Sequence, residues 1–118
     1  MSRLNRTLSR SIAKRIPLAD NRCFQNCYWA LRHVSGKAML VIGTARLWNR
    51  ELRHAWIESG HSIIDPSWVG LLKAGDRPEY HVVHRYTKSH VKTLMIWKVG
   101  RVHREPLFPE WYQLKSKE

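Results

Sequence analysis

The sequence predicts a single α+β domain in which a helix packs on a small antiparallel sheet. The chain has 118 residues, 43% of them hydrophobic, which is enough to bury one core. An apolar face with helical spacing follows residue 20, and later residues form short apolar runs bounded by turn residues. In chain order the predicted elements are helix, strand, hairpin, strand and helix. This order is typical of an α+β fold.

The charge of the chain is strongly positive. It has 21 Lys and Arg against 9 Asp and Glu, a net charge of +12 at pH 7 with neutral histidines. This balance favours an acidic partner, either nucleic acid or an acidic host protein. There is no run of about 18 apolar residues and no secretory signal, so we expect no membrane span and a cytoplasmic protein.

Residues 1–19 form a basic segment without an acidic residue. Its positive charges are Arg3, Arg6, Arg10, Lys14 and Arg15. Four apolar side chains recur every four residues and predict a helix that ends before Pro17: Leu4, Leu8, Ile12 and Ile16. Three interpretations stay open: a helix packed on the core, a contact with phosphates or an anionic surface, and an organellar transit peptide. The domain that follows is expected over residues 20–118.

A helix is predicted next, from about residue 22 to 33. Asp20 and Asn21 are its candidate N-caps, and Ser35-Gly36 closes it. Its apolar face carries residues spaced at i, i+3, i+4 and i+7, namely Phe24, Cys27, Tyr28 and Leu31. This face predicts that the helix packs on the core.

Strand signals occupy the middle of the chain. Residues 38–45 predict a buried strand, and residues 54–58 and 62–65 predict a hairpin. Residues 80–86 predict a further strand, after which Thr87 caps a helix.

Cys23 and Cys27 are the two cysteines of the chain, too few for a disulfide scaffold. With a cap at residue 20 or 21, Cys23 lies in the first helical turn, where backbone N–H groups and the helix dipole stabilise a thiolate. Arg22 adds a positive charge beside it. Cys23 is therefore a candidate nucleophile, with a small buried apolar residue as the alternative. Cys27 lies one turn deeper and is predicted to pack in the core.

The hairpin brings a histidine to a carboxylate. A two-residue turn at Ser59-Gly60 sets His54 opposite Asp65, and directly opposed side chains have Cβ atoms about 5 Å apart. Asp65 then fixes the tautomer of the imidazole, and His54 acts as base to Cys23 and as acid to a leaving group. A surface cross-strand pair is the alternative interpretation.

The run HAWIESGHSIIDPSW, residues 54–68, resembles the signature of the transglutaminase-like superfamily of papain-like cysteine enzymes. In that family a His-Ala-Trp-hydrophobic-Glu strand precedes a strand ending in Asp-Pro-Thr, and Ser67 stands here in place of the threonine. The run CFQNC, residues 23–27, is similar to the cysteine-bearing helix start of small phage and bacterial members. The resemblance covers about residues 20–70. It implies that Cys23 is the nucleophile, His54 the base and Asp65 the orienting acid.

The resemblance also implies a fold and a chemistry. The fold is a nucleophile helix packed on an antiparallel sheet that carries the histidine and the aspartate. The chemistry is cleavage of an amide or peptide bond in a protein or peptide substrate through a thioester, by a protease, deamidase or acyl transferase in a bacterium or phage-infected host. Asn21 and the backbone N–H of Cys23 are candidate oxyanion donors. Trp56 and Trp68, which flank the pair, are candidate walls of the substrate cleft.

Two further expectations concern partners. No cofactor or metal is expected, because His81 and His84 are three residues apart in a predicted strand and so point to opposite faces. A binding protein of phage or mobile-element origin is the alternative function. It would use a degenerate enzyme fold to bind nucleic acid or an acidic host protein through the segment 1–19. Convergence of Cys23, His54 and Asp65 in one accessible cleft with a reactive thiol would favour the enzyme, whereas a cleft filled by a tryptophan or by the segment 1–19 would favour the binding protein.

Overall fold

The computed structural model describes residues 2–20 and 22–96, with side chains as far as residue 92. The fold is α+β, with a five-stranded sheet in the order β1-β4-β3-β2-β5. The strands are β1 (Arg3–Leu4), β2 (Met39–Leu47), β3 (Arg50–Ser59), β4 (Ser62–Ile64) and β5 (Glu79–Thr87). The helices are α1 (Arg6–Ala13), α2 (Cys23–Leu31) and α3 (Lys88–Ile96), and a 3₁₀ turn spans Val69–Leu71.

The central strands β2 and β3 pair antiparallel along their whole length, from Met39 with Glu58 to Leu47 with Arg50. Trp48 and Asn49 form the loop between them with φ of 52° and 64°. Positive φ at both loop residues is the geometry of a type I′ turn, which suits the twist of the strands. The predicted strands at 38–45 and 54–58 are confirmed, and each is longer than predicted.

The predicted antiparallel pairing is present from β4 through β3 and β2 to β5, but the sheet as a whole is mixed. β1 pairs parallel with β4, with Arg3 beside Ser62 and Leu4 beside Ile63. Asn5 is the N-cap of α1, and its Oδ1 accepts a hydrogen bond from the Leu8 backbone N–H at 3.0 Å. Because this cap starts the helix at Arg6, Leu4 is in a strand and not in the predicted helix.

The two faces of the sheet carry separate apolar clusters, because strand side chains alternate in direction. The larger cluster joins α1 and α2 to β2 and β3 and includes Ile12, Phe24, Cys27, Leu40 and Ile57. The smaller cluster consists of Val41, Trp56 and Ile63, with Leu4 and Tyr80 packed against it. Within the described ranges, no helix is long and apolar enough to cross a membrane.

The turn between β3 and β4 differs from the prediction. Ser59 pairs with Ser62 and Ile57 with Ile64, so the loop is Gly60-His61 and the predicted register is wrong. Gly60 has a φ of 59° and His61 does not share the left-handed region. Glycine at the first loop position is the pattern of a type II′ turn, whereas the prediction had placed it second.

The segment around β5 follows its prediction more closely. β5 covers the predicted strand at 80–86, and Thr87 Oγ1 accepts a hydrogen bond from the His90 backbone N–H at 3.2 Å. Thr87 therefore caps α3 as predicted. The pairing of β5 with β2 is irregular between Ile42 and Gly43, where the register shifts.

Replacing Gly43 by alanine is expected to destabilise the fold. An added Cβ atom would overlap the backbone carbonyl oxygen of His81 and lie 3.0 Å from Trp56 Cη2. Because β5 or the indole must shift, we expect a loss of about 2–3 kcal/mol in the free energy of unfolding, measured by urea denaturation. Gly70→Ala is the matched control, since an added Cβ there meets nothing within 4 Å. Equal stability of the two variants would contradict the close packing at Gly43.

Candidate active site

Cys23 is the first residue of α2. Arg22 is the N-cap residue and makes no side-chain capping hydrogen bond, so the prediction of a cap at Asp20 or Asn21 is wrong. The thiol is partly buried against the main apolar cluster. Its position at the helix N-terminus is as predicted, where unpaired backbone N–H groups and the helix dipole favour an anion. Asn21, the other candidate oxyanion donor, lies outside the described residues.

His54 and Asp65 form a hydrogen-bonded pair in the protein interior. The distance from His54 Nε2 to Asp65 Oδ2 is 2.8 Å, and the two residues are 1% and 0% exposed. They meet although the predicted register is wrong. If the observed pairing of β3 with β4 is extended by one residue, Asp65 lies opposite Trp56. His54 is then the diagonal neighbour of Asp65 on the same face of the sheet. A diagonal pair is still within side-chain reach.

The Asp65 carboxylate has further partners that a single hairpin cannot supply. The Tyr80 hydroxyl on β5 donates to the same Oδ2 at 2.8 Å, and the Trp68 backbone N–H donates to Oδ1 at 3.1 Å. The backbone N–H of Asp65 donates to Ser9 Oγ on α1 at 3.0 Å. Both carboxylate oxygens are therefore satisfied, and the side chain is held in one orientation.

His54 links the carboxylate to the thiol. Burial by itself lowers the pKa of His54, but the charge and hydrogen bond of Asp65, with a smaller contribution from a hydrogen bond to Cys23, raise it to about 10. Because Nε2 is bonded to Asp65, Nδ1 is the ring nitrogen left for the Cys23 thiol. The structure thus brings the predicted His54 and Asp65 into a hydrogen-bonded pair and places the Cys23 thiol near enough to the imidazole to contribute to its raised pKa. In contrast, burial raises the pKa of the Cys27 thiol, which stays protonated in the core.

Two tryptophans contact the imidazole. Trp68 stacks on His54 with ring centroids 3.9 Å apart and an interplanar angle of 23°. Trp56 is at a centroid distance of 6.0 Å, is fully buried in the smaller apolar cluster, and its Nε1 has no hydrogen-bond partner. Trp68 therefore covers one face of the imidazole, while Trp56 supports the site from inside the core.

Asn26 joins α2 to the segment after β4. Its Nδ2 donates to the Ala19 carbonyl at 2.9 Å and to Ser67 Oγ at 3.0 Å, and its Oδ1 accepts from the Ala19 backbone N–H at 3.0 Å. Since Ser67 is two residues from Asp65, this side chain fixes Cys23 relative to the carboxylate.

Three residues of the site were not predicted from the sequence: Asn26, Tyr80 and Ser9. A signal for Asn26 was present, because it lies in the CFQNC run. Tyr80 and Ser9 reach Asp65 from distant parts of the chain, and nothing in their local sequence indicates this.

The predicted basic contact residues differ in their burial and contacts. Arg6 donates to the backbone carbonyls of Lys73 and Asp76 and is partly buried. The other four are exposed: Arg3, Arg10, Lys14 and Arg15.

Comparison with known proteins found no relative: no family model, no curated protein and no solved structure matches the chain. The assignment of the site therefore depends on its own geometry.

Tyr80→Phe is expected to remove one hydrogen bond from the Asp65 carboxylate while the bond between Asp65 and His54 remains. Burial and the Asp65 charge raise the pKa of Tyr80, so its hydroxyl is a donor at all ordinary pH values. Losing a buried donor to a charged group should lower the free energy of unfolding by about 2 kcal/mol. It should also raise the pKa of His54 further, because more negative charge stays on Oδ2; NMR titration of the imidazole measures this.

Tyr28→Phe is the control for Tyr80→Phe, since the Tyr28 hydroxyl accepts only an exposed hydrogen bond from Arg32 at 3.1 Å. Its unfolding free energy should change by less than about 0.5 kcal/mol. An unchanged His54 titration in Tyr80→Phe would contradict a positioning role for Tyr80.

The pH dependence of stability should report the His54–Asp65 pair. The pKa of His54 is raised from 6.5 to about 10 in the folded state. The resulting stabilisation is fully present below the unfolded-state pKa and is lost as pH rises through the folded-state pKa. The difference in unfolding free energy between wild type and His54→Gln should therefore be largest near pH 6 and shrink toward pH 10. A difference that is constant over this range would show that the imidazole is not charged in the folded protein.

Proposed function

We propose that this chain is a cysteine enzyme with a transglutaminase-like fold, which cleaves amide or peptide bonds of a protein or peptide substrate through a thioester on Cys23. The observation that supports it most is the buried 2.8 Å hydrogen bond between His54 Nε2 and Asp65 Oδ2, with the Cys23 thiol near the same imidazole. A nucleophile, a base and a third group that orients the base are the minimal parts of such a site.

The charge state of His54 supports this chemistry. The raised pKa keeps the imidazole protonated at neutral pH. A positive ring and the N-terminus of α2 both place positive charge beside the Cys23 sulfur. Asp65 holds the ring by Nε2, which leaves Nδ1 facing the reaction.

The proposed reaction has two halves. Cys23 Sγ attacks the carbonyl carbon, the backbone N–H of Cys23 stabilises the oxyanion, and His54 gives its proton to the leaving nitrogen as the C–N bond breaks. The acyl group is then a thioester on Cys23. Water or an amine attacks it after losing a proton to His54, and the thiolate leaves. Trp68, stacked on the imidazole, limits access of bulk water to one side of the ring.

Alkylation by iodoacetamide at neutral pH tests the nucleophile. We expect modification of Cys23 in the wild-type protein, no modification in Cys23→Ala, and at least about a tenfold slower reaction in His54→Gln, because the thiolate loses its positive partner. Peptide mapping by mass spectrometry measures each rate. Cys27→Ala is the control and should react at the wild-type rate, since Cys27 is fully buried. Equal rates for wild type and His54→Gln would overturn the proposal.

The thioester itself can be captured with hydroxylamine. Incubation of the protein with a mixture of peptides containing glutamine and internal amide bonds should convert an acyl group to a hydroxamate, and the product identifies the bond. A side-chain hydroxamate indicates a deamidase or acyl transferase, whereas a truncated peptide indicates a protease. Products that are also formed by Cys23→Ala would exclude Cys23 as the nucleophile.

A further inference from the structure

A cavity lies beside β1, and Cys23 is not among the residues that line it. It has a volume of about 460 Å³ and is enclosed by β1, the start of α1 and the loop that leads into β5. Its wall combines positive and apolar side chains, among them Arg3, Arg6, Arg77, Leu4, Pro78 and Tyr80. Nothing in the proposed reaction uses this cavity.

The cavity is positively charged. Among the residues that the structure describes, none of the three arginines forms an ion pair with a carboxylate. Asp76 is the acidic residue of the wall, and its carboxylate is already occupied. Oδ1 accepts from Trp48 Nε1 at 3.0 Å, and Oδ2 accepts from the Lys73 backbone N–H at 2.8 Å. The three guanidinium groups therefore exceed the negative charge that faces them.

Arg6 is held in place before any ligand arrives. Its Nη1 donates to the Lys73 carbonyl at 2.9 Å, and its Nη2 donates to the Asp76 carbonyl. These two carbonyl acceptors are neutral, and the Asp76 carboxylate acts on the Arg6 charge without forming an ion pair with it. A guanidinium has five N–H donors, and the remaining ones are free to bind an anion. Ordering Arg6 in advance lowers the entropy cost of binding.

We infer that this cavity binds the phosphate group of a phosphomonoester that carries an apolar body. Three arginines suit a group with a charge near −2 and three acceptor oxygens better than they suit a carboxylate. The walls formed by Leu4, Ile63 and Pro78 provide apolar contact for the rest of the ligand. A single-stranded nucleic acid would need an open groove with aromatic stacking surfaces, whereas this cavity accommodates one compact group.

The ligand would lie next to the triad. Tyr80 lines the cavity, and its hydroxyl is bonded to Asp65. The inference itself does not depend on catalysis by Cys23, because binding is measured without turnover.

Phenyl phosphate is a suitable probe, since it combines a phosphomonoester with an apolar ring. Titration into isotope-labelled protein at fixed ionic strength should give saturable NMR shifts in β1 and in the loop before β5. Arg77→Gln should weaken binding by about tenfold or more, the effect expected of one charge-assisted hydrogen bond. Arg77 is exposed, so this variant should fold normally.

Arg10→Gln is the matched control, because it removes one exposed charge outside the cavity. It should change the affinity by less than about twofold, since screening weakens a distant exposed charge. If Arg77→Gln and Arg10→Gln weaken phenyl phosphate binding equally, binding depends on net charge alone and the inference is wrong. An absence of saturable NMR shifts would also overturn it.

Competition by a single-stranded oligonucleotide tests the alternative source of phosphate. If the oligonucleotide leaves bound phenyl phosphate in place, the phosphomonoester assignment stands. If it displaces phenyl phosphate, and Arg77→Gln weakens its own binding to the same extent, the cavity is a contact for a nucleic-acid backbone and the assignment is wrong.

Discussion

The buried carboxylate of Asp65 organises this protein. An ionised group in the interior is stable only when its oxygens are paired, and removing a partner is costly. Its partners come from three separate elements: His54 on β3, Tyr80 on β5 and the Trp68 backbone after β4. The backbone N–H of Asp65 adds α1 through Ser9. The hydrogen bonds of Asp65 therefore fix the relative positions of β3, β5 and the segment after β4.

Helix α2 is positioned relative to Asp65 by apolar packing and by the hydrogen bonds of Asn26. Phe24 and Cys27 pack α2 on the main cluster, but apolar packing is not directional and does not set the position of its first residue. Asn26 supplies the direction, because its amide bonds to Ala19 on one side and to Ser67 on the other. The position of Cys23 therefore depends on the segment that carries Asp65. The distance between the Cys23 thiol and the His54 imidazole is set by hydrogen bonds as well as by packing.

Much of this arrangement was predictable from local patterns, and the errors have clear physical causes. The helical spacing at α2 and the apolar runs at β2 and β3 predicted those elements, and the motif residues predicted that Cys23, His54 and Asp65 meet. The turn was misplaced because glycine suits either loop position, yet the resulting shift kept His54 and Asp65 on one face. β1 was missed because a two-residue strand has no periodicity. Tyr80 and Ser9 were missed because tertiary contacts between distant residues leave no local pattern.

The parallel pairing of β1 with β4 has a consequence for how the chain folds. Arg3 lies beside Ser62, so β1 has no partner strand until the middle of the chain is present. β2 pairs with its neighbour in sequence, β3, but its other edge is paired only when β5 is present. Such distant pairings make folding slow, since a large loop must close before its contacts repay the lost entropy.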